Sequence, residues 1–146
     1  MESSSGDTER GMSEENVEIF RSALEAFGRR DVEALLTDLD PDVEWQSALP
    51  ALLGGSSTVY RGHQGVRDLI RENDEVLDEY RVEVTEIRDL GDRIFGIGAV
   101  RTRGKGSGVE TDSPWFISVE IKDGKAVRIR TDLDRSEALE AAGLSE

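Results

Sequence analysis

His63 is the single histidine in a chain of 146 residues, and it stands between Gly62 and Gly65, where a ring at the start of a helix could be aimed at a cavity mouth. It is the one side chain whose unperturbed pKa lies near neutrality, which makes it a candidate general acid or base. Its other possible role is structural, opening the helix that follows. One imidazole and no cysteine exclude an HExxH zinc site, thiolate metal sites, disulfides, redox CxxC pairs and cysteine nucleophiles. A bound metal would need a mainly carboxylate shell, and no local motif indicates a nucleophilic triad.

Trp45, Tyr60 and Trp115 are large amphipathic side chains in a protein that is only 5% aromatic. Their indole N–H and phenol O–H groups could orient a flat ligand in a pocket, or they could simply fill a core. Arg101 follows Phe95, Ile97 and Ala99 at period two, so it is either a cation on that face or a residue emerging at its rim with its head in water. Asp112 opens the strand that carries Trp115 and is expected at a rim. On the last strand, alternation groups Thr131 with Val127, Ile129 and Leu133, and sets Asp132 on the opposite face with Arg128 and Arg130. A register slip of one residue would exchange these assignments.

Several elements must position these residues. Val17, Phe20, Ala23, Leu24 and Phe27 recur at helical spacing behind a cap signal at Ser13. Asp31 is placed to cap a short second helix carrying Val32, Leu35, Leu36 and Leu39, with Pro41 as its stop. Val43, Trp45 and Ser47 alternate as in a half-buried strand, and Ala48 to Tyr60 reads as a mobile loop. A third helix is expected from His63 through Val66, Leu69, Ile70, Asn73 and Leu77 to Tyr80. The pattern then changes to period two, predicting strands near Val82–Leu90, Arg93–Arg103, Val109–Lys122 and Lys125–Leu133. Gly91-Asp92 and Asp123-Gly124 are the expected hairpin turns, and Gly96 and Gly98 are where a sheet could bend. Asp134 with Glu137 announces a short terminal helix closed by Gly143.

Composition narrows the partners. With 32 acidic against 18 basic side chains the formal charge is −14, which disfavours nucleic acid and an acidic membrane face. Val, Ile, Leu and Phe make up 37 of the residues, enough for one core. Residues 1–12 are polar and expected as a disordered tail, ahead of a single domain over 13–146. No apolar run is long enough to span a bilayer and the start lacks a basic and then apolar stretch, so a cytoplasmic protein is expected.

Three helices, an early strand with Trp45, the segment Tyr60-Arg61-Gly62-His63-Gln64-Gly65-Val66, a four-strand meander and Asp134…Ala138-Leu139…Gly143 together resemble the SnoaL-like, polyketide-cyclase-like branch of the nuclear-transport-factor-2-like superfamily, from Ser13 to Leu144. The resemblance implies an α+β fold: a cone-shaped barrel of one strongly bent, mainly antiparallel sheet wrapped on three N-terminal helices, with a short C-terminal helix and often a dimer through the sheet. It also implies an apolar pocket between sheet and helices, and, in the enzymes of the group, proton transfer without a cofactor in isomerases, cyclases, dehydratases and epoxide hydrolases. Asp132 lies on the strand where related cyclases carry their general acid or base, although Thr131 stands nearer the matching position. The functional expectation is a domain that binds a small, mostly apolar molecule. The alternatives are a cofactor-free acid–base enzyme using Asp132 and His63, with Trp45, Tyr60, Arg101, Trp115 and Thr131 on the ligand, and a dimerising interaction module.

Overall fold

The structure, a computed structural model, describes residues 4–52 and 58–144. Helices α1 (Ser4–Arg29) and α2 (Val32–Thr37) are followed by strand β1 (Leu39–Ser47) and a single-turn helix α3 (Leu49–Leu52). Strand β2 (Thr58–Arg61) leads into α4 (Gly62–Val76), and then come β3 (Leu77–Asp89), β4 (Arg93–Gly104), β5 (Glu110–Lys122), β6 (Lys125–Asp132) and α5 (Arg135–Ala141). The six strands form one curved sheet in the order β2-β1-β6-β5-β4-β3, antiparallel throughout except where β1 runs parallel to β6. This is the α+β architecture expected: one bent sheet packed on helices.

Local chemistry accounts for the ends of several elements. The Asp31 carboxylate accepts from the Ala34 amide at 3.2 Å and caps α2, and the Asp134 carboxylate accepts from the Glu137 amide at 2.9 Å and caps α5. Asp123 and Gly124 both take positive φ, 53° and 79°, which matches the right-handed twist of a two-residue hairpin between β5 and β6. The sheet bends at Gly98, where the β3–β4 register shifts between Val84 and Glu86. There the backbones approach so closely that a Cβ on Gly98 would fall on the Glu83 carbonyl oxygen.

The two faces of the sheet are covered differently. Helices α1, α2 and α4 lie on the inner face, where Val43, Trp45, Ile94, Val100, Ile117 and Ile129 are buried with Phe20 and Leu69 in the main core. On the outer face α5 covers a smaller cluster in which Phe95 and Phe116 stack at 6.4 Å beneath Ala138 and Leu139.

Four boundaries differ from the sequence expectation. Helix α1 starts at Ser4 rather than at the Ser13 cap signal, since extending an existing helix costs far less than nucleating one. Leu39 begins β1 instead of closing α2, drawn there by pairing with Ala126. The stretch expected as a loop contains α3 and the strand β2, which pairs Tyr60 with Trp45; with one inward residue in four, β2 has no alternation to detect. Leu53 to Ser57, the middle of that expected loop, lie outside the described residues. Finally α4 ends at Val76, and Leu77 to Tyr80 belong to β3. No glycine or proline marks that stop. It is set by tertiary contacts: the Lys105 amide donates to the Val76 carbonyl at 2.9 Å and its ammonium to the Asp74 carbonyl at 2.8 Å, capping the helix from β4's end.

Candidate functional site

Period-two alternation on β1 and β5 points Trp45 and Trp115 to the inner face, and the helical stripe of α1 brings Phe20, Ala23, Leu24 and Phe27 over them. Between these layers lies a cavity of about 20 Å³, closed further by Leu35, Ile117, Val119, Ala126 and Ile129. Every residue lining it is apolar. A space of this size admits about one water, and without polar partners it stays dry. Phe27 forms one wall: its ring lies 5.3 Å from Trp45, tilted by 44°, and 5.2 Å from Tyr80 in an edge-to-face contact.

The residues singled out in the sequence separate into distinct places. Trp45 and Trp115 line the cavity together. Tyr60 is buried in the same core, yet its hydroxyl points to α4 and donates to Glu72 Oε1 at 2.7 Å. Burial, reinforced by that hydrogen bond and the charge of Glu72, pushes its pKa up to about 12. Thr131 is buried as the alternation required, and its hydroxyl oxygen is engaged by the Ala48 amide at 2.9 Å, tying β6 to the end of β1.

His63 opens α4 as the structural alternative had it: Nε2 lies 3.0 Å from the Leu39 carbonyl oxygen, so it donates there and fastens the helix to the start of β1. Asp132 faces away from the cavity, toward the α5 side, and is gripped by the Arg130 guanidinium through contacts of 3.1 to 3.2 Å. Neither residue lines the apolar cavity. Arg101 lies on the outer, exposed face, where it pairs with Asp112 at 2.9 Å; the face of Phe95 and Ile97 that it continues is the one under α5. It is therefore removed from the face covered by α1, α2 and α4, where the tryptophans lie.

Sequence reasoning missed one cluster. Arg30, Asn73, Asp74 and Tyr80 surround a small recess behind Phe27, together with Ile70. Tyr80 is hidden by a helical spacing that runs on through it, and Arg30 and Asp74 by the rule that charged residues on helices are usually solvated. Burial raises the Tyr80 pKa, opposed by the positive charge of Arg30. Among the described residues no group of three or more His, Asp and Glu side chains is placed to hold a metal ion, and no helix is long and apolar enough to cross a membrane.

The chain matches the family model of the SnoaL-like domain over residues 20–129. The chain belongs to the SnoaL-like domain family. Its solved relatives agree. The SnoaL-like chain is similar to a nuclear-transport-factor-2-like protein of unknown function from Burkholderia pseudomallei, with 26% identity, a TM-score of 0.73, and coverage of 86% of this chain and 95% of that one. It is similar as well to TerC, co-crystallised with polyporic acid, with 26% identity, a TM-score of 0.71 and coverage of 84% and 94%. A Catenulispora acidiphila protein with a ketosteroid isomerase-like fold, solved in complex with trimethylamine, shares the fold at 16% identity and a TM-score of 0.69 over 88% and 94% of the two chains. No curated protein matches significantly.

Proposed function

We propose that this SnoaL-like domain binds a small, mostly apolar molecule between α1 and the inner face of the sheet. The carrying observation is the lining of the cavity: two indoles and ten other apolar side chains, with no ionisable group among them. Such a wall recognises shape and apolar area rather than charge. The relative co-crystallised with polyporic acid supports an organic ligand in this fold.

A cofactor-free isomerase, cyclase, dehydratase or epoxide hydrolase using Asp132 and His63 has less support. General acid–base catalysis needs the titrating groups within hydrogen-bond reach of the substrate. Asp132 is instead paired with Arg130, and His63 with a backbone carbonyl. The two readings divide on Asp132→Asn, which abolishes turnover of a substrate in the enzyme reading and leaves ligand affinity unchanged in the binding reading.

Both tryptophans of the chain line the cavity, so intrinsic fluorescence reports its occupancy. Titration with small apolar aromatic molecules is expected to give saturable, one-site quenching that Trp115→Phe reduces. Absence of any saturable change across such a set defeats the binding reading.

A homodimer through the outer face of the sheet is proposed alongside. Glu44, Arg128 and Glu120 alternate in sign across neighbouring strands in an open groove there of about 260 Å³, and opposite charges on one patch suit a two-fold contact with itself. Analytical ultracentrifugation tests this, with Arg128→Glu expected to shift the dimer toward monomer.

A further inference from the structure

Three spaces follow one another from the core to solvent and share their walls. Phe27 lines both the apolar cavity and the recess behind it. Arg30 and Tyr80 line both that recess and a surface groove of about 330 Å³ between the end of α1 and β3. Phe27 is the residue common to the tryptophan-lined cavity and the recess that leads to the surface groove.

One polar atom of the recess, Asp74 Oδ1, is buried with no hydrogen bond. Arg30 is held in place by backbone geometry, with φ of 58° at the end of α1 and its amide donating to the Phe27 carbonyl at 3.1 Å. Its Nε lies 2.9 Å from Asp74 Oδ1. That oxygen is shielded from water, and the ion pair is not aligned as a hydrogen bond. Tyr80 and Asn73, both half-buried, line the same recess. A buried carboxylate oxygen ordinarily has a hydrogen-bond partner. One guanidinium and one carboxylate neutralise each other here, so the recess favours a neutral group that both accepts and donates.

We propose that the recess of Arg30, Asn73, Asp74 and Tyr80 is the polar end of the ligand site, with Phe27 as the movable partition, and that the ligand is a flat apolar molecule ending in one neutral hydroxyl or carbonyl oxygen. The inference rests on the ligand-binding reading and specifies it. The apolar body lies against Trp45 and Trp115. The terminal oxygen accepts from Arg30, Asn73 or Tyr80 and, where it is a hydroxyl, donates to Asp74. Because the cavity offers only about 20 Å³ and the recess about 10 Å³, a ring can lodge there only as Phe27 turns aside and joins the two spaces.

The test uses the full-length protein and two probes with the same body, naphthalene and 2-naphthol, followed by quenching of the two tryptophans. One or two hydrogen bonds made at this partly exposed site predict that 2-naphthol binds about five- to tenfold more tightly than naphthalene. Tyr80→Phe and Asp74→Asn are expected to reduce that preference while naphthalene affinity stays unchanged, and Phe27→Leu to speed association of both probes. Equal affinity of the two probes for the unsubstituted protein, or a preference that survives both substitutions, overturns the polar subsite while leaving the apolar pocket standing. An unchanged association rate in Phe27→Leu overturns the partition. If neither probe binds, the ligand-binding reading fails and this inference fails with it.

Discussion

At the scale of single residues, the polar side chains of the inner layers act mainly by what they anchor. Tyr60 illustrates this through its pH dependence. Its pKa rises from 10.0 in the unfolded chain to about 12 in the folded protein, so the native state holds the phenolic proton more tightly. The stabilisation is complete below pH 10 and is lost as pH climbs through 12, amounting to about 3 kcal/mol at most. With Tyr80 shifted in the same direction, neither tyrosine is expected to ionise at its ordinary pH while the protein remains folded, as absorbance of tyrosinate checks. Tyr60→Phe removes its share of the alkaline loss. Thr131 is argued the same way: Thr131→Val keeps the shape and leaves the Ala48 amide without its acceptor. A destabilisation of about 1–3 kcal/mol is expected in urea unfolding, with apolar probe affinity unchanged. A fall in affinity would return Thr131 to the ligand site.

At the scale of elements, glycines of the same type have opposite consequences according to what surrounds them. A methyl at Gly28, near the end of α1, meets nothing within 4 Å. Gly28→Ala is therefore expected to stabilise by roughly 0.5–1 kcal/mol through helix propensity. Gly98 lies where β3 and β4 nearly touch, and Gly98→Ala must displace the Glu83 backbone at the bulge. Its cost is expected to be about 1–3 kcal/mol or more, with altered curvature visible as weaker tryptophan quenching by the apolar probes. Thermal unfolding of the two variants should move in opposite directions. The caps follow ordinary rules: Asp134→Ala loses the bond to the Glu137 amide and is expected to cost about 1 kcal/mol. Such devices are legible in the sequence, because a cap, a turn and a helical stripe are each written in a few adjacent residues. Strand β2 and the end of α4 are not, since their partners, Trp45 and Lys105, lie far away in the chain.

For the whole molecule, charge and shape have to be weighed together. Many surface ion pairs, such as Arg29 with Glu25 and Arg67 with Glu33, are exposed and individually weak. Self-repulsion from a net charge of −14 acts over the entire surface and is expected to dominate. Raising the salt from about 0.01 M to about 0.15 M shortens the screening length from roughly 30 Å to roughly 8 Å. The melting temperature is therefore expected to rise with salt, and a fall would show that the ion pairs matter more. The sequence by itself determined the α+β order of elements, the helix caps at Asp31 and Asp134, the hairpins, and the inward alternation of Trp45 and Trp115. All of these depend on periodicity or on neighbours within a few positions. Only the tertiary structure decided the site. Whether His63 meets the Leu39 carbonyl, and whether Arg30 just after α1, Asp74 from α4 and Tyr80 from β3 share one recess, depends on how separate elements pack. Contacts between residues dozens of positions apart leave no period in the chain, so the polar vestibule beside the tryptophans became visible only once the sheet had bent around its helices.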